Sequence, residues 1–170
     1  FENYSSLGEH ITNAADLSIT ETGNNAYLNK TILNTTGCLF GNCMTFNGTT
    51  SWIDPGSPSP GIFHNAIQIH TIEVWVKANQ PEKTRAQTIV EEGGGTHGIC
   101  IAINNSNIYF STNVNTDLNI TSFSFTDTGW HYIAGTYNQT NTSLYIDGIL
   151  VNSSYRAAAN VPAHSGGPGI

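Results

Sequence analysis

The sequence predicts an all-β fold in which two antiparallel sheets pack as a sandwich, and three observations carry that prediction. Short apolar segments alternate with polar residues, and turn signals recur roughly every 8–12 residues. No stretch shows the i, i+3, i+4 spacing of an amphipathic helix. The segment 129–151, GWHYIAGTYNQTNTSLYIDGILV, reads as three strands of one antiparallel meander.

Within that meander His131, Ile133, Gly135 and Tyr137 point to one face, and Tyr132, Ala134 and Thr136 to the other, because successive strand side chains alternate. Asp147-Gly148 separates Leu144-Tyr145-Ile146 from Ile149-Leu150-Val151. A two-residue type I′ turn needs positive φ at both central positions, which Asp-Gly tolerates. The longer connection, 138–142, is rich in Asn and Thr, as a solvent-facing turn should be. On this reading the meander is scaffold. Trp130 caps one end by packing, and Asp127 and Asp147 serve turns.

Strands are expected at 26–33, 43–46, 51–53, 67–78, 86–92, 98–104, 107–112, 122–125, 131–137, 143–146 and 149–153. In 71–78, Ile72, Val74 and Val76 should pack between the sheets. Glu73, Trp75 and Lys77 should face outward, with Trp75 partly covered by a neighbouring strand's side chain. Leu7, Ile11, Leu17 and Ile19 show no firm period.

The same residues carry a family resemblance. Trp130-His131, a strand ending in Thr136-Tyr137, and then Leu144-Tyr145-Ile146-Asp147-Gly148 resemble the signature of laminin-G-like jelly-roll domains, members of the concanavalin A-like lectin/glucanase superfamily. CMTFNGTTSWIDPGS (43–57) resembles the strand–turn–strand near the start of such domains, and TIEVWVKA (71–78) their central strand. EEGGGTHGICIAINNSNIYF (91–110) resembles the glycine loop and hairpin of one subgroup. The resemblance implies one laminin-G-like, concanavalin A-like jelly-roll domain over 1–170, opening with an edge strand and a surface loop that holds Asp16. It also implies that the closing C-terminal strands are missing after VPAHSGGPGI (161–170). Either the chain is a fragment of a longer protein or another chain supplies those strands. An open sheet edge invites such augmentation, including by copies of the chain itself. The resemblance is specific to fold and not to function, because this fold hosts lectins, adhesins, hydrolases and structural modules.

Composition narrows the classes. Only 10% of residues are charged, against about 25% in a typical globular protein, so the polar surface must come from Asn, Thr and Ser. Net charge is −7, and Lys30, Lys77, Lys83, Arg85 and Arg156 form no patch. Nucleic acid is therefore not an expected partner. No apolar run reaches the roughly 18 residues of a membrane span, and no signal-peptide pattern is visible.

Cys38 and Cys43, in CLFGNC, suit a small-loop disulfide in an oxidising compartment. Cys100, inside GICIAI, reads as a buried free thiol acting as a small hydrophobe. Without a C-x-x-C motif a zinc site is not expected. Glycosylation sequons begin at Asn3, Asn29, Asn34, Asn47, Asn104, Asn119, Asn138, Asn141 and Asn152. They point to a glycosylated protein of an extracellular, cell-surface or virion-surface setting.

Glycoside hydrolysis needs two carboxylates about 5–9.5 Å apart across a cleft. Glu73 stands alone on its strand, and Glu91-Glu92 point to opposite faces, so no catalysis is expected. Calcium is the one cofactor the loops suggest, since it takes oxygen ligands. Asp54, Asp117 and Asp127, with Asn113 and Asn115, are the candidates, although no dense acidic loop is present. For carbohydrate, Trp52, Tyr109, Phe110, Tyr155 and His97 are the candidate platform, although each singly reads first as core or rim packing. The leading expectation is a non-catalytic extracellular recognition or adhesion module binding glycan or protein partners. The competing one is a glycosylated structural subunit of a virion, surface filament or surface layer.

Overall fold

Among the described residues every regular element is a strand. The computed structural model describes residues 13–14, 26–54, 65–164 and 168–170. In chain order the strands are β1 Asn13–Ala14, β2 Ala26–Asn29, β3 Ile32–Asn34, β4 Cys43–Thr45, β5 Trp52–Asp54, β6 His70–Lys77, β7 Gln87–Gly93, β8 His97–Asn104, β9 Asn107–Val114, β10 Asp117–Ser124, β11 Trp130–Tyr137, β12 Asn141–Ile146, β13 Ile149–Tyr155 and β14 Pro168–Gly169. They divide between two compact units, Phe1–Gly61 with Gly167–Ile170, and Ile62–Gly166.

In the smaller unit β1, β2 and β5 pair in that order, and β3 pairs with β4. The single strand expected at 26–33 is broken. Lys30 takes a left-handed φ of 52°, so β2 and β3 turn to different partners: Leu28 pairs with Ile53, and Leu33 with Met44. A disulfide joins Cys38 to Cys43 across the loop between β3 and β4. Ile53 and Ile170 exchange backbone bonds of 2.8 and 3.0 Å.

The larger unit holds the predicted sandwich. One sheet runs β10, β9, β8, β7 and the other β13, β12, β11, β6, with antiparallel neighbours throughout. Ile99, Ile101, Ile103, Ile108 and Phe110 from the first sheet meet Ile133, Tyr137 and Leu144 from the second. Burying each such side chain contributes about 1.5–3 kcal/mol. Gly135 marks a close approach of the two sheets, since a Cβ there would lie 2.5 Å from the Phe110 ring. Tyr137 is wholly buried and donates its hydroxyl hydrogen to the Ala159 carbonyl at 2.6 Å.

Polar bonds stitch the two sheets along one side. The Thr112 and Thr142 hydroxyls meet at 3.0 Å, Asn119 donates to Thr142 at 3.3 Å, and Ser154 donates to Asn119 at 2.7 Å. Asn152 donates to the Ser122 carbonyl at 2.8 Å, and Arg156 to that of Asp117 at 3.3 Å. Side chains at and just beyond β13 thus occupy acceptors on β10, the kind of exposed strand that otherwise recruits another chain.

Two expectations shift. The turn at Asn115-Thr116 has φ of 52° and 70°, so β10 begins at Asp117 rather than at 122. Asn enters the left-handed region readily, but Thr does not, so the pair gives no hairpin signal in sequence. The strand expected from 67 starts at His70, and Ile67 instead bridges Val161 with backbone bonds of 2.8 and 3.0 Å. The Asp147-Gly148 turn is as predicted, with φ of 52° and 81°.

Candidate binding face

β6 and β11 each turn alternate side chains away from the core, and their register gathers those side chains into rows. Trp75 lies opposite Tyr132, and their ring centroids are 5.3 Å apart at 49°. Glu73 lies opposite Ala134, which in turn lies opposite Tyr145, itself paired with Leu150. The next row is Thr71, Thr136, Ser143 and Ser153, with the two serine hydroxyls 2.8 Å apart. An aromatic patch thus borders a strip of hydroxyls.

Trp75 is exposed, Tyr132 is half-buried, and the pair is polar at its rim. Trp75 keeps 45% of its surface accessible. The Tyr132 hydroxyl donates to a Glu73 carboxylate oxygen, and that bond, followed by partial burial and the Glu73 charge, pushes the Tyr132 phenol up. Glu73 and Lys77 flank Trp75 two residues to either side. A flat apolar ring beside a fixed acceptor suits a ligand with one apolar face and an edge of hydroxyls.

Asp147 anchors this face from below. Its backbone N–H donates to the Tyr132 carbonyl at 2.8 Å, and its Oδ1 accepts the Tyr132 backbone N–H at 2.9 Å. Its Oδ2 lies 2.8 Å from His131 Nδ1. The His131 hydrogen bond, then the Tyr132 N–H, hold the Asp147 carboxyl below the usual carboxylate value. On the other side of the ring, His131 Nε2 lies 3.4 Å from Asp127 Oδ1, which also accepts the Gly129 N–H at 2.5 Å. The Gly129 bond, then His131, hold Asp127 low as well. Partial burial pushes the His131 imidazole down, but the hydrogen bonds and charges of Asp147 and Asp127 outweigh it and hold it above the ordinary histidine value.

Within the larger unit, the residues picked from sequence for carbohydrate are not gathered. Phe110 takes the packing role and is wholly buried in the core, because the alternation that places Ile108 inside places Phe110 there too. Trp52 belongs to the smaller unit. Tyr109 is half-buried on the other sheet, opposite Ala102 and Ser122. Tyr155 ends β13, exposed, and His97 accepts the Asn115 N–H at 3.2 Å.

The calcium candidates take other partners. Asp117 binds Arg156 at 2.6 Å, Asp127 meets His131, and Asp54 lies in the smaller unit. Among the described residues, no group of three or more His, Cys, Asp or Glu is placed to hold a metal ion. Glu91 is exposed and Glu92 is buried, on opposite faces of β7. Cys100 is half-buried rather than buried, because it pairs with Glu91 on β7 instead of facing the core. Burial, then the Glu91 charge, push its thiol up to about 11.

Of the sequon asparagines, Asn3 lies outside the described residues. The side-chain amides of Asn29, Asn34, Asn47, Asn119, Asn141 and Asn152 each donate a hydrogen bond within the fold. Asn104 is half-buried with an unpartnered Oδ1. Asn138 is exposed in the turn after β11, and its Oδ1 accepts the Asn141 N–H at 2.8 Å.

Sequence reasoning treated Tyr132, His131 and Asp147 as scaffold. The signal for the face was the outward Glu-x-Trp of β6, but the partner of Trp75 depends on a register between strands more than fifty residues apart.

A sequence profile of the concanavalin A-like lectin/glucanases superfamily, of laminin-G type, matches residues 47–168. No curated protein matches the chain. Among similar solved structures is the botulinum neurotoxin serotype G binding domain, 18% identical, with 86% of this chain and 38% of that chain covered and a TM-score of 0.63. The botulinum neurotoxin serotype D binding domain is 19% identical over 86% of this chain and 38% of that one, with a TM-score of 0.63. The binding domain of botulinum neurotoxin DC, solved in complex with SialylT, is 14% identical over 88% of this chain and 39% of that one, with a TM-score of 0.63. This chain therefore spans less than half the length of these structures. At such identities the likeness is one of fold.

Proposed function

The chain belongs to the concanavalin A-like lectin/glucanases superfamily through a laminin-G-type domain, and on that premise we propose that it is a non-catalytic carbohydrate-recognition module whose binding face is the outer side of β6 and β11. The Trp75–Tyr132 pair carries this reading. It offers a sugar ring an apolar floor, with the Glu73 carboxylate as a fixed acceptor at its edge. The strip of Thr71, Thr136 and Ser153 supplies further donors and acceptors for a second ring, with buried Ser143 bonded to Ser153 beneath it. The similarity to toxin binding domains, one of them solved in complex with SialylT, supports recognition over structure.

The same face argues against hydrolysis. Glu73 is bonded to the Tyr132 hydroxyl, and Glu91 and Glu92 point away from each other across β7. An extracellular setting is supported by the Cys38–Cys43 disulfide, a bond that persists in oxidising compartments.

The test is a glycan array probed with the protein and with Trp75→Ala. Stacking on an aromatic ring contributes about 0.5–1.5 kcal/mol beyond area, so affinity for the preferred glycan should fall roughly tenfold. Equal binding by the variant would overturn the assignment of the face.

A further inference from the structure

Tyr132, half of the aromatic floor, gives its backbone N–H to one carboxylate, and that carboxylate is shared with a titratable ring. Asp147 receives the Tyr132 N–H on Oδ1 at 2.9 Å and faces His131 Nδ1 with Oδ2 at 2.8 Å. Asp127 stands 3.4 Å from the other ring nitrogen. His131 is thus clasped between carboxylates from two loops, the one before β11 and the turn after β12. From β6 it meets uncharged Val76 across the register. The Phe125 ring packs edge-on at 5.2 Å and is also uncharged. The nearest charges on β6 are accounted for separately: Lys77 lies opposite Trp130, and Glu73 accepts the Tyr132 hydroxyl.

We infer that His131 is a positioning residue for the binding face, and that loss of its proton loosens the Tyr132 anchor and weakens recognition. The inference takes the function of that face from the reading above. An imidazolium donates from both nitrogens, so Asp147 and Asp127 are both attracted to it. A neutral ring can keep Nδ1–H on Asp147, but its Nε2 lone pair then faces the Asp127 carboxylate, and two acceptors oppose each other. The remaining bond to Asp147 is no longer ion to ion, and charge-assisted bonds are about twice as strong as neutral ones. Asp147 then holds the Tyr132 N–H from a less constrained position.

The direction with pH follows from the pKa directions. His131 is held above its ordinary value, so the clasp is complete below about pH 6.5 and is lost as pH rises through the raised value. Asp127 and Asp147 are held below theirs, so the clasp survives acidification to about pH 4 and is lost beneath it. Recognition should be strongest in mildly acidic solution.

The experiment is NMR of the whole chain between pH 5.5 and 9 without ligand, followed by binding of the array-selected glycan across the same range. The His131 ring should titrate with a midpoint above 6.5, and the Tyr132 backbone amide should shift with the same midpoint. In His131→Gln, which keeps a donor but no charge, the Tyr132 amide should stay flat over that range. In Asp127→Asn the His131 midpoint should fall. Glycan affinity of the wild type should drop severalfold through the titration, and that of His131→Gln should not. A Tyr132 amide that ignores pH in the wild type, or that titrates equally in His131→Gln, would overturn the inference. The amide measurement needs no ligand, so a titrating Tyr132 in a protein that binds no glycan would sink the functional reading alone.

Discussion

Among the described residues, His131 and His164 meet carboxylates on opposite plans. His131 lies between Asp127 and Asp147, whose carboxylates are largely exposed and accept backbone N–H groups from Gly129 and Tyr132 as well. His164 and Glu92 are each only 4% accessible and stand 3.6 Å apart, too far for a hydrogen bond. Both Glu92 Oε1 and His164 Nε2 lack a partner. His164 Nδ1 lies 3.0 Å from the Pro162 carbonyl. A carbonyl only accepts, so Nδ1 donates to it, and Nε2 is the atom that faces Glu92. The contrast separates hydrogen bonding from burial. Bonds to the charged form hold Asp147 low, whereas burial pushes the Glu92 carboxyl up, and His164 only partly offsets it.

The largest expected effect lies in the buried pair. His164→Ala leaves Glu92 buried without its partner, and breaking such a pair costs about 3–5 kcal/mol. Chemical denaturation at pH 7 should show this, and the loss should shrink toward pH 4 as Glu92 takes up a proton. The double variant Glu92→Leu with His164→Leu should be near neutral in stability, because apolar replacement of a buried pair often is. A double variant as damaged as His164→Ala would mean that the pair itself stabilises the fold.

The exposed pair should respond less. Asp147→Asn keeps a residue that tolerates φ near 52° and removes the charge. The expected cost is about 1 kcal/mol, reduced by solvent screening of an exposed carboxylate. Asp127→Asn should cost less than Asp147→Asn, since Asp127 holds no strand backbone. Equal losses would erase the distinction between the anchor and its flank.

Stability against pH sharpens the comparison in sign. Glu92 has a raised pKa, so its contribution is fully present below about pH 4.5 and is lost as pH rises through the folded value. Asp147 has a lowered one, so its contribution is present above about pH 3.8 and is lost as pH falls through the folded value. Subtracting the denaturation profiles of Glu92→Gln and Asp147→Asn from the wild type should give slopes of opposite sign in acid.

How far the sequence reached depends on whether an interaction is local. The β11–β12–β13 meander was legible because Asp147-Gly148 and strict alternation lie within a few residues of each other. The β9–β10 hairpin was shortened because Asn115-Thr116 turns without a glycine, and 26–33 was over-extended because Lys30 adopts a left-handed φ that its side chain does not advertise. Alternation also placed Trp75 on the outer face. It could not say that Tyr132 would cover it, that Glu73 would bind the Tyr132 hydroxyl, or that Asp147 would serve as more than a turn. Each of those depends on the register between strands. Phe110 needs no such register: its alternation with Ile108 already points inward.

The most direct test of the account is an NMR titration of the protein with its best array glycan, followed at the Trp75 indole and the Tyr132 ring. Shifts should centre on Trp75, Tyr132 and the neighbouring strip of Thr71, Thr136, Ser143 and Ser153, and should vanish in Trp75→Ala. Shifts centred on the loops of the smaller unit or on β9, with Trp75 and Tyr132 unmoved, would contradict it.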